Sequence, residues 1–193
     1  GAPLVRLPAN SVEWFKWALD AGAWGVIVPM VSSRAEAEQA VRWAKYPPEG
    51  IRSIGGAYTS FGLGSMDLGE YYQRANAEVL VAAQIEGAAA LDDLDGILGV
   101  PGIDVAFVGS NDLHAQLGLT PSSEGAEPRF VAALEQIKAA AGRHGKALGI
   151  FCSDGAAAAM RLREGFQMVS VVTDAAALRA SAARELAAAR AGG

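Results

Sequence analysis

The chain alternates short apolar runs with helical patterns along nearly its whole length, and this alternation limits the folds open to it. The runs are nearly unbroken, which is typical of parallel strands covered on both faces. Strands that alternate with helices favour a parallel α/β fold. The six runs begin near Leu4, Gly25, Val79, Ile103, Ala147 and Met168.

The number of strand–helix units separates the two common parallel architectures. A closed (β/α)8 TIM-type barrel has eight units in about 250 residues, whereas this chain has six in 193 residues. We therefore interpret residues 1–193 as a single domain, a (β/α)8 barrel that lacks its first two units. An open doubly wound sheet is the alternative, but no glycine fingerprint for a dinucleotide follows the first strand.

Two carboxylates come directly after neighbouring runs. Glu86 follows the run that begins at Val79, and Asp112 follows the run that begins at Ile103. Functional groups of a barrel lie at the carboxyl ends of its strands, so both should face the same opening, where two carboxylates can share a divalent cation. Alternatively, each acidic residue only stabilises the start of a helix. For the pair, we favour the metal site.

Basic and small residues at other strand ends suggest an anion. Arg6 lies in an otherwise apolar run, where a buried guanidinium needs an anionic partner. We expect it to bind an oxyanion in the barrel opening, with a structural ion pair as the alternative. Gly109, Ser110 and Asn111 lie between a strand and a helix and can offer backbone N–H groups to an anion.

The remaining reactive side chains receive no catalytic role. We expect His114 at a solvated helix position, His144 in a polar turn at the opposite end of the strands, and Cys152 packed as a small apolar residue. The glycine-rich segment 46–65 predicts an ordered irregular loop that lines a site or a subunit contact. A mobile surface excursion is the alternative.

Composition excludes several classes of protein. With 51% apolar and 19% charged residues the chain is globular. Its longest apolar run, 23–31, is shorter than the roughly 18 residues of a membrane span, and we place the protein in the cytoplasm without a membrane partner. A single cysteine suits a reducing compartment. The charge of −5 and the lack of a basic stripe argue against a nucleic-acid partner.

The order and spacing of several motifs resemble the class II pyruvate aldolases of the HpcH/HpaI aldolase and citrate lyase type. The resemblance extends over essentially the whole chain. The motifs are Leu4-Val-Arg-Leu7, Gly25-Val-Ile-Val-Pro-Met-Val31, Tyr46-Pro-Pro-Glu-Gly-Ile-Arg-Ser53, Gln84-Ile-Glu86, Pro101-Gly-Ile-Asp104 and Asn111-Asp-Leu113.

The resemblance implies a metal-dependent barrel in which Glu86 and Asp112 bind Mg²⁺, Mn²⁺ or Co²⁺. Pyruvate then chelates the ion, Arg6 stabilises the enolate oxygen and Gln84 contacts the substrate. The implied reaction is the reversible cleavage of a 4-hydroxy-2-oxo acid to pyruvate and an aldehyde. No lysine lies at a strand end, which argues against a Schiff-base aldolase. The family also forms homo-oligomers, including hexamers, and unpaired edges of an incomplete barrel favour association too.

The chain departs from the family pattern in two respects. Ser110 stands where the family usually has proline. The acid/base histidine of the family comes from the first two units, and neither His114 nor His144 matches it. A longer polypeptide or another chain supplies this group, or a shortened homologue has lost it. The alternatives are a non-catalytic protein that keeps the metal–pyruvate pocket, and a malyl or citryl coenzyme A ester lyase, which would need a basic groove.

Overall fold

A computed structural model of the protein describes residues 1–61, 64 and 67–191. Within these residues the predicted alternation of strands and helices is confirmed. The strands are β1 Leu4–Arg6, β2 Gly25–Val28, β3 Leu80–Ile85, β4 Val105–Val108, β5 Ala147–Ile150 and β6 Met168–Val169. The helices are α1 Val12–Asp20, α2 Arg34–Ala44, α3 Leu68–Glu78, α4 Ala88–Asp92, α5 Leu94–Leu98, α6 Ser110–Gln116, α7 Pro128–Arg143, α8 Gly155–Arg163 and α9 Asp174–Ala191.

The six strands form one parallel sheet in the order β1-β2-β3-β4-β5-β6. A doubly wound sheet reverses its strand order at a switch point, so the doubly wound alternative is wrong. In the register of β3 and β4, Ile85 pairs with Val108. The residues that follow these two strands, Glu86 and Gly109, therefore emerge side by side at the carboxyl edge of the sheet.

The core lies between the sheet and the helices that cover it. In β3 every residue from Val81 to Ile85 is buried, as expected for a strand covered on both faces. The spacing of the apolar residues from Phe130 to Ala141 predicts one buried face for α7, and this is confirmed, since Phe130 and Ile137 are fully buried. Each side chain of this size stabilises the fold by about 1.5–3 kcal/mol relative to full exposure.

The ends of two elements differ from the sequence-based expectation. The apolar run after Gly25 continues to Val31, but β2 ends at Val28 because Pro29 has no N–H for the ladder and Met30 turns to a φ of 54°. The sequence also predicts that Asn10, with Glu13 three residues later, caps the first helix, but the structure places Ser11 directly before α1. The Asn10 side chain instead lies 3.5 Å from the Glu36 carbonyl oxygen.

The irregular segment after α2 is ordered around a buried arginine. Arg52 donates to the Tyr71 hydroxyl at 3.0 Å and to Asp20 at 3.1 Å, and its guanidinium lies 4.5 Å from the centre of the Tyr46 ring. These contacts supply the partners that a buried charge requires, so the mobile alternative is wrong for the part around Arg52. Residues 62, 63 and 65 of the predicted loop lie outside the described residues.

The last helix packs differently from the others. No residue of α9 is buried. Even its apolar residues Leu178 and Leu186 are exposed. None of the helices in the described ranges is long and apolar enough to cross a membrane.

Candidate active site

A cavity of about 480 Å³ opens at the carboxyl ends of the strands. Apolar side chains of the strands and of the residues that follow them, including Phe107 and Phe151, form one part of its wall. The other part is polar and contains all the residues that the sequence predicted for the site. These are Arg6, Gln84, Glu86, Gly109, Ser110, Asn111 and Asp112.

Glu86 is the best-anchored side chain of the cavity. It is fully buried, one carboxylate oxygen accepts from the Met30 N–H at 2.8 Å, and the other accepts from the Gln84 side-chain amide. Burial raises the pKa of Glu86, and the Asp112 carboxylate raises it further, whereas the two hydrogen bonds and Arg6 act in the opposite direction. Without a bound cation, the ionised form of Glu86 is therefore less favourable in the protein than in water.

Asp112 faces the same cavity from the first turn of α6. A carboxylate is favourable near a helix amino terminus, but here it also repels Glu86, as the raised pKa of Glu86 shows. A divalent cation would relieve both the repulsion and the burial cost, and carboxylate oxygens are the ligands that Mg²⁺ and Mn²⁺ prefer. The two residues thus fit a hard divalent ion.

The two carboxylates would form only part of a coordination shell. No group of three or more His, Cys, Asp or Glu side chains in the described ranges is arranged to hold a metal ion. Water or ligand oxygens would therefore complete the shell, which is usual for Mg²⁺.

Gly109 leaves space for the side chains of Gln84 and Glu86. A Cβ atom at Gly109 would lie 2.7 Å from Gln84 Nε2 and 2.8 Å from Glu86 Cβ, closer than such atoms approach in proteins. The expectation that Gly109 offers its N–H to an anion is wrong, because this N–H donates to the Ile85 carbonyl oxygen at 3.2 Å. A residue larger than glycine at this position would clash with Gln84 and Glu86.

Ser110, which lines the cavity, has a buried hydroxyl without a hydrogen-bond partner. The residue is buried, and its Oγ has no hydrogen-bond partner among the described residues. A buried polar atom without a partner is unfavourable, so a polar ligand or water is expected there. Asn111, beside it on the cavity wall, is exposed.

Arg6 lies at the end of β1, and the expectation of a buried guanidinium is wrong. The residue is exposed, because β1 is the edge of the described sheet and is covered on one side only. Its Nε donates to Gln84 Oε1 at 3.4 Å. The arginine is therefore held by a long bond to a neutral acceptor at the rim of the cavity.

His114 is fully buried, so the predicted solvated position is wrong. Its Nδ1 lies 2.6 Å from the Ser110 carbonyl oxygen, its Nε2 lies 3.5 Å from Glu127, and its ring stacks on Phe130 at 3.9 Å. The spacing of Ser110, Leu113 and His114, which are all buried, is that of one helix face and was the signal for this position.

The other two reactive side chains lie in their predicted surroundings. His144 directly follows α7, and its Nε2 lies 2.8 Å from Asp95. Arg143 and His144 hold the pKa of Asp95 below its usual value. Cys152 is buried and unpaired, and burial raises the pKa of its thiol. None of these side chains lines the cavity.

Comparison with known proteins places this arrangement in a family. The family model of the HpcH/HpaI aldolase/citrate lyase proteins matches residues 1–181. The chain belongs to this family. The resemblance inferred from the motifs is therefore confirmed.

Relatives and a solved structure support the HpcH/HpaI assignment. The chain is 40% identical over 189 residues to a hydroxypyruvate/pyruvate aldolase of Rhizorhabdus wittichii, a match that covers 98% of this chain and 74% of the relative. It is 35% identical over 186 residues to a 5-keto-4-deoxy-D-glucarate aldolase of Shigella boydii, covering 96% and 70% of the two chains. An HpcH/HpaI family structure from Burkholderia cenocepacia superposes with a TM-score of 0.85 at 33% identity, covering 98% and 74%.

Proposed function

We propose that the chain binds a divalent cation and a 2-oxo acid as part of a class II aldolase, a carbon–carbon lyase that cleaves 4-hydroxy-2-oxo acids to pyruvate and an aldehyde. The observation that carries this proposal is the meeting of Glu86 and Asp112 in one cavity with Arg6 at its rim. Membership of an aldolase and lyase family supports the class of reaction. Relatives named as aldolases support it further.

Glu86 and Asp112 would hold the ion, which we propose to be Mg²⁺, Mn²⁺ or Co²⁺. A bound ion of this kind polarises a carbonyl oxygen as a Lewis acid. The two carboxylates would fix the position of the ion, and their combined negative charge would stabilise it in a cavity whose other wall is apolar.

Arg6, Gln84 and Ser110 would act on the substrate itself. Negative charge develops on the keto oxygen as the carbon–carbon bond breaks, and a guanidinium placed beside that oxygen stabilises it. The long bond from Arg6 to Gln84 leaves the guanidinium free to turn toward the substrate. The unsatisfied Ser110 hydroxyl would donate to the substrate carboxylate, with Asn111 beside it.

The proton-transfer group is proposed to come from a segment or subunit outside this chain. Neither His114 nor His144 lines the cavity. We therefore expect low turnover from residues 1–193 alone.

We propose that residues 1–193 form a single domain with the strand–helix units of a partial (β/α)8 barrel. The exposed apolar side chains of α9 support assembly into a homo-oligomer such as a hexamer, which light scattering would test.

A non-catalytic pseudoenzyme is the second candidate, and the position of the two histidines outside the cavity favours it. It predicts tight binding of Mn²⁺ together with pyruvate or oxalate, but no cleavage. A coenzyme A ester lyase receives no comparable support, because Arg6 is the one cationic side chain in the described cavity lining.

The deciding experiment measures pyruvate release from 4-hydroxy-2-oxo acids with added Mn²⁺, with EDTA, and with Glu86→Gln. Release that needs Mn²⁺ and Glu86 supports the aldolase. Binding of Mn²⁺ and oxalate without any release, even when a longer homologue supplies the proton-transfer group, supports the pseudoenzyme. Absence of both binding and release contradicts the proposal.

A further inference from the structure

Met30 has a backbone conformation that its own side chain disfavours. Its φ is 54°, and it is the one residue other than glycine with a positive φ in the described part of the chain. A Cβ atom crowds the backbone in this left-handed region, which asparagine, aspartate and glycine adopt more readily than methionine. Something in the structure must therefore hold the turn after β2.

Side-chain packing does not explain the turn. Met30 is 48% exposed. The main chain is instead tied by hydrogen bonds directly after Met30. The Met30 carbonyl oxygen accepts from the Ser32 hydroxyl at 3.1 Å, and the Ser32 N–H donates to Glu36 in α2 at 2.7 Å.

The left-handed turn directs one N–H group into the candidate site. The Met30 N–H lies 2.8 Å from Glu86 Oε1, across 56 positions of sequence. The other oxygen, Oε2, accepts from the Gln84 side-chain amide. A backbone donor fixed by its turn cannot move away, whereas a side-chain amide can rotate and exchange partners.

We propose that Met30 is a positioning residue whose N–H anchors Glu86 Oε1, so that Oε2 is the oxygen that faces a bound cation once the Gln84 amide rotates away. This inference rests on the proposed function. A strained backbone at such a place is the kind of feature that folds retain for a site, and partners of metal ligands orient the ligands in the same way.

Three substitutions at this position separate the backbone from the side chain. Met30→Gly removes the side chain but accepts a positive φ readily. Met30→Val introduces a β-branched side chain, for which a positive φ is strongly unfavourable, so the turn should flip and withdraw the N–H. Met30→Leu keeps the size and the φ preference of methionine. Met160→Val, at an exposed methionine of α8, is the matched control.

The first readout is the Mn²⁺ dissociation constant, measured from the electron paramagnetic resonance signal of the free ion. We expect Met30→Val to weaken binding by about 10- to 100-fold, as loss of a ligand-orienting contact does. Met30→Gly, Met30→Leu and Met160→Val should bind within about 3-fold of the wild type. Equal affinity of Met30→Val and the wild type would overturn the inference.

The second readout separates this inference from the proposed function. Hydrogen exchange of the residue 30 amide, measured by NMR without any metal, should be slow in the wild type and in Met30→Gly, and at least 10-fold faster in Met30→Val and in Glu86→Ala. Exchange in the wild type as fast as in Glu86→Ala would overturn the anchor. A wild type that shows slow exchange but binds no Mn²⁺ would contradict the proposed function and the cation-facing role of Oε2 together, while leaving the anchoring contact intact.

Discussion

Arg6 Nε lies 3.4 Å from Gln84 Oε1, although 78 positions separate the two residues. The same Gln84 side chain donates through its Nε2 to Glu86. One amide thus connects the cationic side chain of the cavity to one of its two carboxylates. Since the amide can release either partner when a ligand binds, substitutions of the three residues should have distinguishable effects.

Arg6→Lys should weaken turnover more than cation binding. Lysine keeps the charge but loses the planar, multidentate donor geometry, and removal of a donor to a developing oxyanion typically lowers the rate by about 10²–10³-fold. Pyruvate release and Mn²⁺ affinity are the measurements, with Arg34→Lys as the exposed control. Loss of Mn²⁺ binding in Arg6→Lys would contradict this assignment.

Glu86→Gln should abolish cation binding without destabilising the fold. Burial and the Asp112 charge already disfavour the ionised form of Glu86, as its raised pKa indicates, and glutamine keeps the shape and accepts the Met30 N–H. We expect a loss of Mn²⁺ affinity of more than about 100-fold by calorimetry and, in EDTA, a melting temperature equal to or above that of the wild type. Glu78→Gln, at an exposed helix position, is the control. A clearly lower melting temperature for Glu86→Gln would mean that its charge is structural.

Gly109→Ala should damage the site because its Cβ would meet Gln84 and Glu86. We expect weaker Mn²⁺ binding and a loss of stability of about 1–3 kcal/mol, the usual range for overpacking. Gly142→Ala is the matched control, since a Cβ there meets nothing within 4 Å and alanine favours the helix by up to about 1 kcal/mol. Urea unfolding and Mn²⁺ titration of both variants measure the contrast, and equal behaviour of the two would refute the steric role.

The burial of Lys45, outside the cavity, should make the stability of the fold depend on pH. The residue is buried, its Nζ donates to the carbonyl oxygens of Asn76 and Val79 at 2.8 and 2.5 Å, and burial lowers its pKa below 10.5. Lys45→Met leaves both carbonyl oxygens without this donor, at a cost of about 1–3 kcal/mol near pH 7.

The sign of the pH effect follows from the lowered pKa of Lys45. Between the folded-state pKa and 10.5, the unfolded chain binds more protons than the folded one, so the stability of the wild type relative to Lys45→Met should rise with pH. Urea unfolding at pH 7, 9 and 10 measures the difference, with Lys138→Met on the surface of α7 as the reference. A difference that stays constant or falls over this range would show that the pKa of Lys45 is not lowered.

The candidate site could be located from the sequence largely because of strand polarity. Apolar runs predicted β3 and β4, and parallel strands end at one edge of a sheet, so Glu86, Gly109 and Asp112 were expected together. Arg6 was expected at the correct edge of the sheet, but it was expected to be buried and is exposed. Its exposure depends on whether another strand covers β1, which the local sequence does not determine.

Local periodicity therefore determined the order of strands and helices, the α/β class and the set of polar residues at the strand ends, since these depend on neighbours within a few positions. Only the tertiary structure decided the burial of His114 against Phe130, the partners of Arg52, and the left-handed turn that aims Met30 at Glu86. Each of these depends on a contact between residues far apart in the chain, which a pattern of adjacent residues does not encode. Glu86 belongs to both parts: its position follows from the end of a strand, and its orientation follows from a backbone N–H 56 positions away.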